Sequence, residues 1–260
     1  MQTAAQSGVQ RLYHYEGFNP EYLRDTLTNQ RVHLSNPQNF NDLWDCNPYF
    51  QIDVEDPESR RKWGERLYGY VPASVRAELE TKGKWYEEKE FLSAVKSAVT
   101  SMAQQSSGWR IYCLAKRRDS ALMWAHYAQK HQGICLEFDA GHQQVGLAYP
   151  VRYQDNFPLI EMDALGDPRR LINEMLLTKS REWAYEEEYR LLCRDDFNPA
   201  FPLRIADNYL QLKPGALAGI IAGVRADVAA IKEVMTQSGC DIPLRRAVQV
   251  PNQYRLEIVG

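Results

Sequence analysis

The spacing of apolar and polar residues changes period several times along the chain, and each change marks an element. Arg11-Leu-Tyr-His-Tyr15 alternates and is closed by Gly17, which predicts an opening strand. In that strand Tyr13 and Tyr15 share one face, while His14 shares the other with Leu12 and Glu16. Asn19-Pro20 then offers an N-cap followed by proline at the first helical position, and Tyr22, Leu23 and Leu27 carry a helix to about Asn29. Arg31–Ser35 reads as a second strand, broken by Asn36-Pro37. From about 53 to 107 charge and apolar residues recur at helical spacing, which predicts a helical insertion of two or three surface helices, as a cap or lid.

Strand patterns resume at Trp109–Leu114. Asp119 or Ser120 caps a helix over Ala121–Lys130 that stops at Gly133, and Ile134–Phe138 and Ala148–Tyr153 are further strands. A helix from about Asp167 reaches Lys179. It leads into Trp183-Ala-Tyr-Glu-Glu-Glu-Tyr-Arg190, read as a strand with Glu186, Glu188 and Arg190 on one face and Tyr185, Glu187 and Tyr189 on the other. Strand–helix–strand order follows over Leu217–Gly223, Ala226–Gln237 and Ile242–Val250, and Tyr254–Val259 is a last strand. The irregular interleaving predicts one α+β domain over residues 1–260, a mixed sheet with the 53–107 insertion and a flexible tail over residues 1–9.

Composition adds exclusions. A chain of 260 residues, 44% hydrophobic and 25% charged, has enough apolar material for a sizeable core. Its net charge of -3 argues against holding duplex nucleic acid by bulk charge, which leaves a local basic groove open. The five cysteines show no C-x-x-C spacing, so reduced thiols are expected, with Cys113, Cys135 and Cys193 packed in strands. No signal peptide or membrane-length apolar run is found, which predicts a cytoplasmic protein without a membrane partner. There is no G-x-G-x-x-G, P-loop or nucleophile-elbow motif.

Glu186 and Glu188 carry the candidate chemistry. One reading is an ion-pair cluster with Arg190 or Arg181. The other is a carboxylate pair that stabilises a sugar cation. His14 reads either as a hydrogen-bonded core residue or as a contact to a ligand sugar or phosphate. His126 and Tyr127 sit in an aromatic helix whose simplest reading is core, and His126 with His131 lacks metal-ligand spacing. Asn41-Asp42 reads as a turn satisfying its own backbone, with Asp42 and Asp45 as cleft contacts the alternative.

Leu12–Tyr15, Phe40–Asp42, Leu122–Tyr127, His131–Cys135 with Phe138-Asp139, and Trp183–Arg190, in that order, resemble the bacterial domain-of-unknown-function family 2971. The family name implies no activity. A strand bearing His-Tyr and a late strand preceded by Glu-x-Glu are also similar to ADP-ribosyltransferase-like proteins. That resemblance implies NAD as substrate and an unknown macromolecular acceptor, protein or nucleic acid. It implies that His14 contacts a ribose and that Tyr127 or Tyr149 stacks on nicotinamide, with Tyr15 and His126 also lining the NAD site. Glu188 would stabilise the oxocarbenium-like transition state, Glu186 would orient the acceptor, and Ser35 would support the catalytic glutamate. No arginine stands at His14, which departs from one class of these enzymes. The alternatives are a non-catalytic recognition module in bacterial stress or phage defence, and a nuclease holding a metal through Asp42, Asp45, Glu137 and Asp139.

Overall fold

The computed structural model describes residues 1–47, 56–68, 73–83, 87, 93, 108–158, 168–194 and 201–260. An eight-stranded mixed sheet organises them. Strand β1 (Arg11–Glu16) lies between β4 (Ile134–Asp139) and β3 (Arg110–Ala115), antiparallel to both. Beyond β4 come β10 (Leu217–Ala222), β11 (Leu244–Gln249) and β12 (Leu256–Val259); beyond β3 come β8 (Glu188–Cys193) and β5 (Tyr149–Pro150). Only β10 and β11 run parallel within this sheet, joined through helix α6 (Val228–Gln237), as a parallel pair requires a crossover. Two small ladders flank it, β2 (Arg31–His33) with β9 (Tyr209–Gln211), and β6 (Arg152–Gln154) with β7 (Thr178–Ser180). The α+β expectation holds.

Strand alternation divides the core as the sequence indicates. Leu12, Leu114, Leu136, Phe138 and Leu191 point to one face, under helix α1 (Pro20–Asn29) and α6. Asn19 caps α1 by accepting from the amides of Glu21 and Tyr22, and Arg24 reaches Gln237 on α6. Tyr13, Tyr15, Ala115 and Cys135 point to the other face, against helix α4 (Ala121–His126). Trp124 of α4 is wholly buried and its indole donates to the Arg118 carbonyl. Truncating such a side chain to alanine typically costs about 3–5 kcal/mol. Ile111 and Leu192 share this second face but join a separate cluster with Ile172, Met175 and Leu176 of helix α5 (Pro168–Leu176). The gap between the two apolar clusters is where the polar site lies.

The seam between β1 and β3 is unusual. These neighbouring strands share one register pair, Tyr13 with Ala115, before they part. Past that point the Cys113 carbonyl accepts from His14 Nδ1 (2.7 Å), and Ile111 pairs through both its backbone groups with Ser35 at the end of β2. Side chain and a borrowed strand thus satisfy backbone groups that a continuous ladder would otherwise pair.

Several expectations are corrected. The first residues are docked rather than frayed: Ala4 is fully buried and donates to Ala148, and Ala5 donates to Gly146. The helix after Ser120, which is its cap, ends at His126, because Gln129, Lys130 and His131 adopt positive φ. The turn closes where Gly133 meets Ala128. A Cβ on Gly133 would stand 2.2 Å from the Glu16 carbonyl oxygen, so only glycine fits. The single strand expected over Ala148–Tyr153 is two, because Tyr149 and Pro150 pair with β8 while Arg152 onward pairs with β7. Within the expected helical insertion the structure describes α2 (Pro57–Tyr68) and α3 (Ala73–Thr81); the third expected helix, from about 86 to 102, falls outside the described residues except at positions 87 and 93.

Candidate functional site

A cavity of about 380 Å³ opens on the second face, beside the seam where β1 leaves β3. Tyr13, His14 and Tyr15 of β1 line one side, Ser35 and Asn41 another, and Met123, His126 and Tyr127 of α4 and its cap a third. At its floor lie Asp45, Lys179, Glu186 and Glu188. His14, Ser35 and Cys113 also line a second cavity of about 380 Å³, under α1 and β2, with Glu16, His33 and Tyr209.

The floor is a buried ion network. Arg190, with no exposed side-chain surface, donates from Nε and Nη2 to the two oxygens of Glu188 (2.7 and 3.0 Å) and from Nη2 to Asp45 (2.6 Å). Its Nη1 reaches the Leu176 carbonyl (2.7 Å) and Cys46 Sγ (3.2 Å). Lys179 touches Glu186 (2.6 Å), Glu188 (3.3 Å) and Asp45 (3.4 Å). Tyr127 donates to Glu186 Oε1 (2.5 Å), and the Glu188 amide donates to the Tyr153 hydroxyl. Three carboxylates against two cations leave one surplus negative charge facing the cavity.

The two glutamates are in different electrostatic states. Burial alone would raise the Glu188 carboxyl, but the Arg190 guanidinium and the Lys179 ammonium bring it down to about 2. Burial, and then the neighbouring Glu188, push Glu186 above the ordinary carboxylate range in spite of Lys179 and Tyr127. Burial would lower Lys179, but the carboxylates of Glu188, Asp45 and Glu186 hold it well above its ordinary value, so it is a fixed cation. Burial and then Glu186 raise Tyr127, keeping its hydroxyl a donor. Because a carbonyl only accepts, the His14 proton sits on Nδ1, and Nε2 is left facing Glu16 at 3.8 Å. His14 stacks on Tyr112 (4.2 Å between centroids), and burial lowers its pKa.

Strand alternation accounts for only part of this arrangement. Arg181–Glu186 is a 3-10 helix, not strand, and Glu187 closes it with φ 44°. β8 begins at Glu188, so Glu188 and Arg190 do share a face, whereas Glu186 reaches the same floor by way of the left-handed turn. Glu187 stays half-exposed. Arg181 pairs with exposed Asp155, and Lys179 takes the partnership expected of it.

Of the residues singled out in the sequence, His14, Tyr15, Ser35, His126, Tyr127, Glu186 and Glu188 line one cavity. The Tyr15 hydroxyl is engaged with the Arg117 carbonyl, so its ring forms the wall. Tyr149 stands apart, on the edge strand beyond β8 and packed on Phe201. Asp42 makes the expected turn, accepting from the Trp44 amide, while Asp45 is a network member. Glu137 is held by Arg11 and Arg245 instead. Cys113 is not simply packed: it is only partly buried and lines the cavity, where burial and then the nearby Glu188 carboxylate push its thiol up. The Arg190 partnership is legible in the sequence, whereas Lys179 is legible only as a charge, since it reads as the tail of a helix. Lys179 also lines a further cavity of about 280 Å³, bordered by Trp44, Phe157 and Glu174.

No curated protein and no solved structure matches the chain. The motifs at Leu12–Tyr15 and Phe40–Asp42 lie outside the segment that a family model matches. Residues 123–191, which hold Tyr127, Lys179, Glu186, Glu188 and Arg190, match the family model described as Protein of unknown function (DUF2971), and the resemblance to that family rests on this segment.

Proposed function

We propose that the cavity at the β1–β3 seam is the active site of an enzyme that cleaves an N-glycosidic bond, with NAD as substrate and ADP-ribose transferred to a macromolecular acceptor. One observation carries the reading. Glu186, buried and held by Tyr127 and Lys179, faces the same cavity as His14, Ser35 and His126. A carboxylate held at a cavity floor that carries one surplus negative charge favours a centre that becomes positive, and an oxocarbenium-like ribose is such a centre. The adjoining cavity beyond His14 and Ser35 gives room for the second half of a dinucleotide.

The geometry supports a different division of labour from that implied by the ADP-ribosyltransferase resemblance. Both oxygens of Glu188 are bound by Arg190, which is wholly buried and outside the cavity lining, so Glu188 serves to fix the floor, whereas the oxygens of Glu186 are held by Tyr127 and Lys179, which themselves line the cavity. Glu186 is the carboxylate that faces the ribose. The bond from the anomeric carbon to nicotinamide nitrogen breaks, and its electron pair leaves with nicotinamide, which becomes neutral. The acceptor's lone pair bonds the anomeric carbon, and His126, exposed at the cavity wall, takes the acceptor's proton.

Nicotinamide release from NAD, followed by chromatography, tests this. Glu186→Gln is expected to lower the rate by about 10²-fold or more, the scale of losing one preorganised electrostatic group. Tyr127→Phe should lower it less. Equal release by wild type and Glu186→Gln would refute the assignment. The saturation of Glu188 by structural partners favours a second reading, a ligand-sensing module without turnover. That reading predicts NAD binding by calorimetry with no nicotinamide released.

A further inference from the structure

The acceptor is the unassigned half of this reading, and a second surface bears on it. An open groove of about 610 Å³ adjoins the cavity through Tyr13, which lines both. Its walls carry Lys116, Arg117, Arg118 and Arg255 against two carboxylates, Asp119 and Glu257. Lys116 has no ion-pair partner among the described residues. Arg117 pairs with Asp119 (3.0 Å) and lies 3.9 Å from Glu187, and Arg255 pairs with Glu257 (2.5 Å), surface contacts that exchange readily. Arg118 sits 3.9 Å from Glu137, whose single charge is shared with Arg11 and Arg245. The groove is therefore locally cationic on a chain of net charge -3.

Charge alone would suit any polyanion; the aromatic beside it does not. Tyr254 does not line the groove itself but immediately precedes Arg255, which does, on the turn between β11 and β12, and its ring is fully exposed. A bare aromatic beside cations is a platform on which an unpaired base stacks, while a duplex hides its base faces. An acidic peptide has no use for that platform.

We propose that this groove binds a single-stranded nucleic acid and that such a strand is the acceptor for the adjoining cavity. The acceptor role rests on the N-glycosidic reading above; the binding does not.

Fluorescence anisotropy of a labelled oligothymidine, about twenty nucleotides long so that it outspans one groove, is the direct measurement. Wild type should bind it with log Kd rising against log salt with a slope of about 3, four phosphate contacts at about 0.7 each. Lys116→Glu with Arg255→Glu should weaken binding at least about tenfold and flatten that slope. Tyr254→Ala should weaken it by about tenfold while leaving the slope unchanged, the mark of a lost stacking contact. All three positions are exposed, and circular dichroism of each variant checks the fold.

Three results would overturn the proposal: no anisotropy change up to about 100 µM protein, the weak limit of non-specific binding; displacement by polyglutamate as effective as by unlabelled strand; or a duplex of the same length bound as tightly. Nicotinamide release measured without nucleic acid keeps the two readings apart. It should be the same in Lys116→Glu/Arg255→Glu as in wild type. A wild type that binds the strand but releases no nicotinamide would sink the enzyme reading and leave the groove standing.

Discussion

Consider replacing each of the two floor glutamates by glutamine, one at a time. Both changes remove one negative charge from a network of three carboxylates and two cations, so simple charge counting predicts equal effects. The bonding predicts otherwise. At Glu188 the amide nitrogen of glutamine would face Arg190, whose Nε and Nη2 both donate there, and a wholly buried guanidinium would keep only Asp45 as counter-ion. Breaking one side of a buried pair costs about 3–5 kcal/mol. The depressed carboxyl gives a similar figure. A fall from the ordinary 4.5 to about 2 corresponds to about 3 kcal/mol at 1.36 kcal/mol per unit.

Glu186→Gln meets a softer environment. Lys179 keeps Glu188 and Asp45, and the Tyr127 hydroxyl can turn to accept from the new amide, so the cost should stay near 1 kcal/mol. Urea unfolding at neutral pH, with m unchanged, measures both differences. The pH dependence supplies an independent reading. Because the folded Glu188 carboxyl lies below its unfolded value, its stabilisation is complete above about 4.5 and is lost as pH falls from there through about 2. The acid limb of the wild-type curve should therefore be steeper than that of Glu188→Gln. Equal losses for the two variants, or a larger loss at Glu186, would refute the division between a supporting and a ligand-facing carboxylate.

Glu16 behaves in the opposite sense. Burial pushes its carboxyl up to about 7, so as pH rises from about 4.5 the unfolded chain ionises first and stability falls. Glu16→Gln should gain on wild type by about 1 kcal/mol by about pH 8 and by nothing at about pH 4, the full shift being discounted because the side chain is 31% exposed; unchanged stability at both ends would remove the effect. Gly133→Ala should lower stability by about 3 kcal/mol or more, since the added carbon meets the Glu16 carbonyl and the Ala128 backbone; a melting temperature within a degree or so of wild type would show that the turn yields.

Local rules made much of the fold legible. The Asn19-Pro20 cap, the Ser120 cap, the alternation of Leu12 through Tyr15 and the apolar run at Leu217 each state one element's chemistry within a few residues. The misses share a cause. Glu186 and Glu188 were placed together by an alternation that Glu187 breaks, because no local signal distinguishes a left-handed glutamate from an extended one. Lys179 and Asp45 meet Glu188 only once β7 and the segment after Phe40 have folded onto the sheet, which is a tertiary fact. The docked first residues follow from Ala148 and Gly146, both remote in sequence. Tyr127 and Tyr149 stood as alternatives for one stacking role, and only the position of β5 at the sheet edge separates them.

The β1–β3 seam has a consequence for how the molecule opens. With one register pair holding these neighbouring strands together, the sheet is two leaves, β12 through β1 on one side and β3 through β5 on the other. The smallest opening free energy across the sheet should fall along that line, so amides near it should exchange with solvent before those of β4 or β8. A ligand seated between His14 and Glu186 would bridge the leaves and raise that opening energy by RT ln(1 + [L]/Kd). Slowed exchange confined to the seam would then report occupancy of the cavity without any chemistry having taken place.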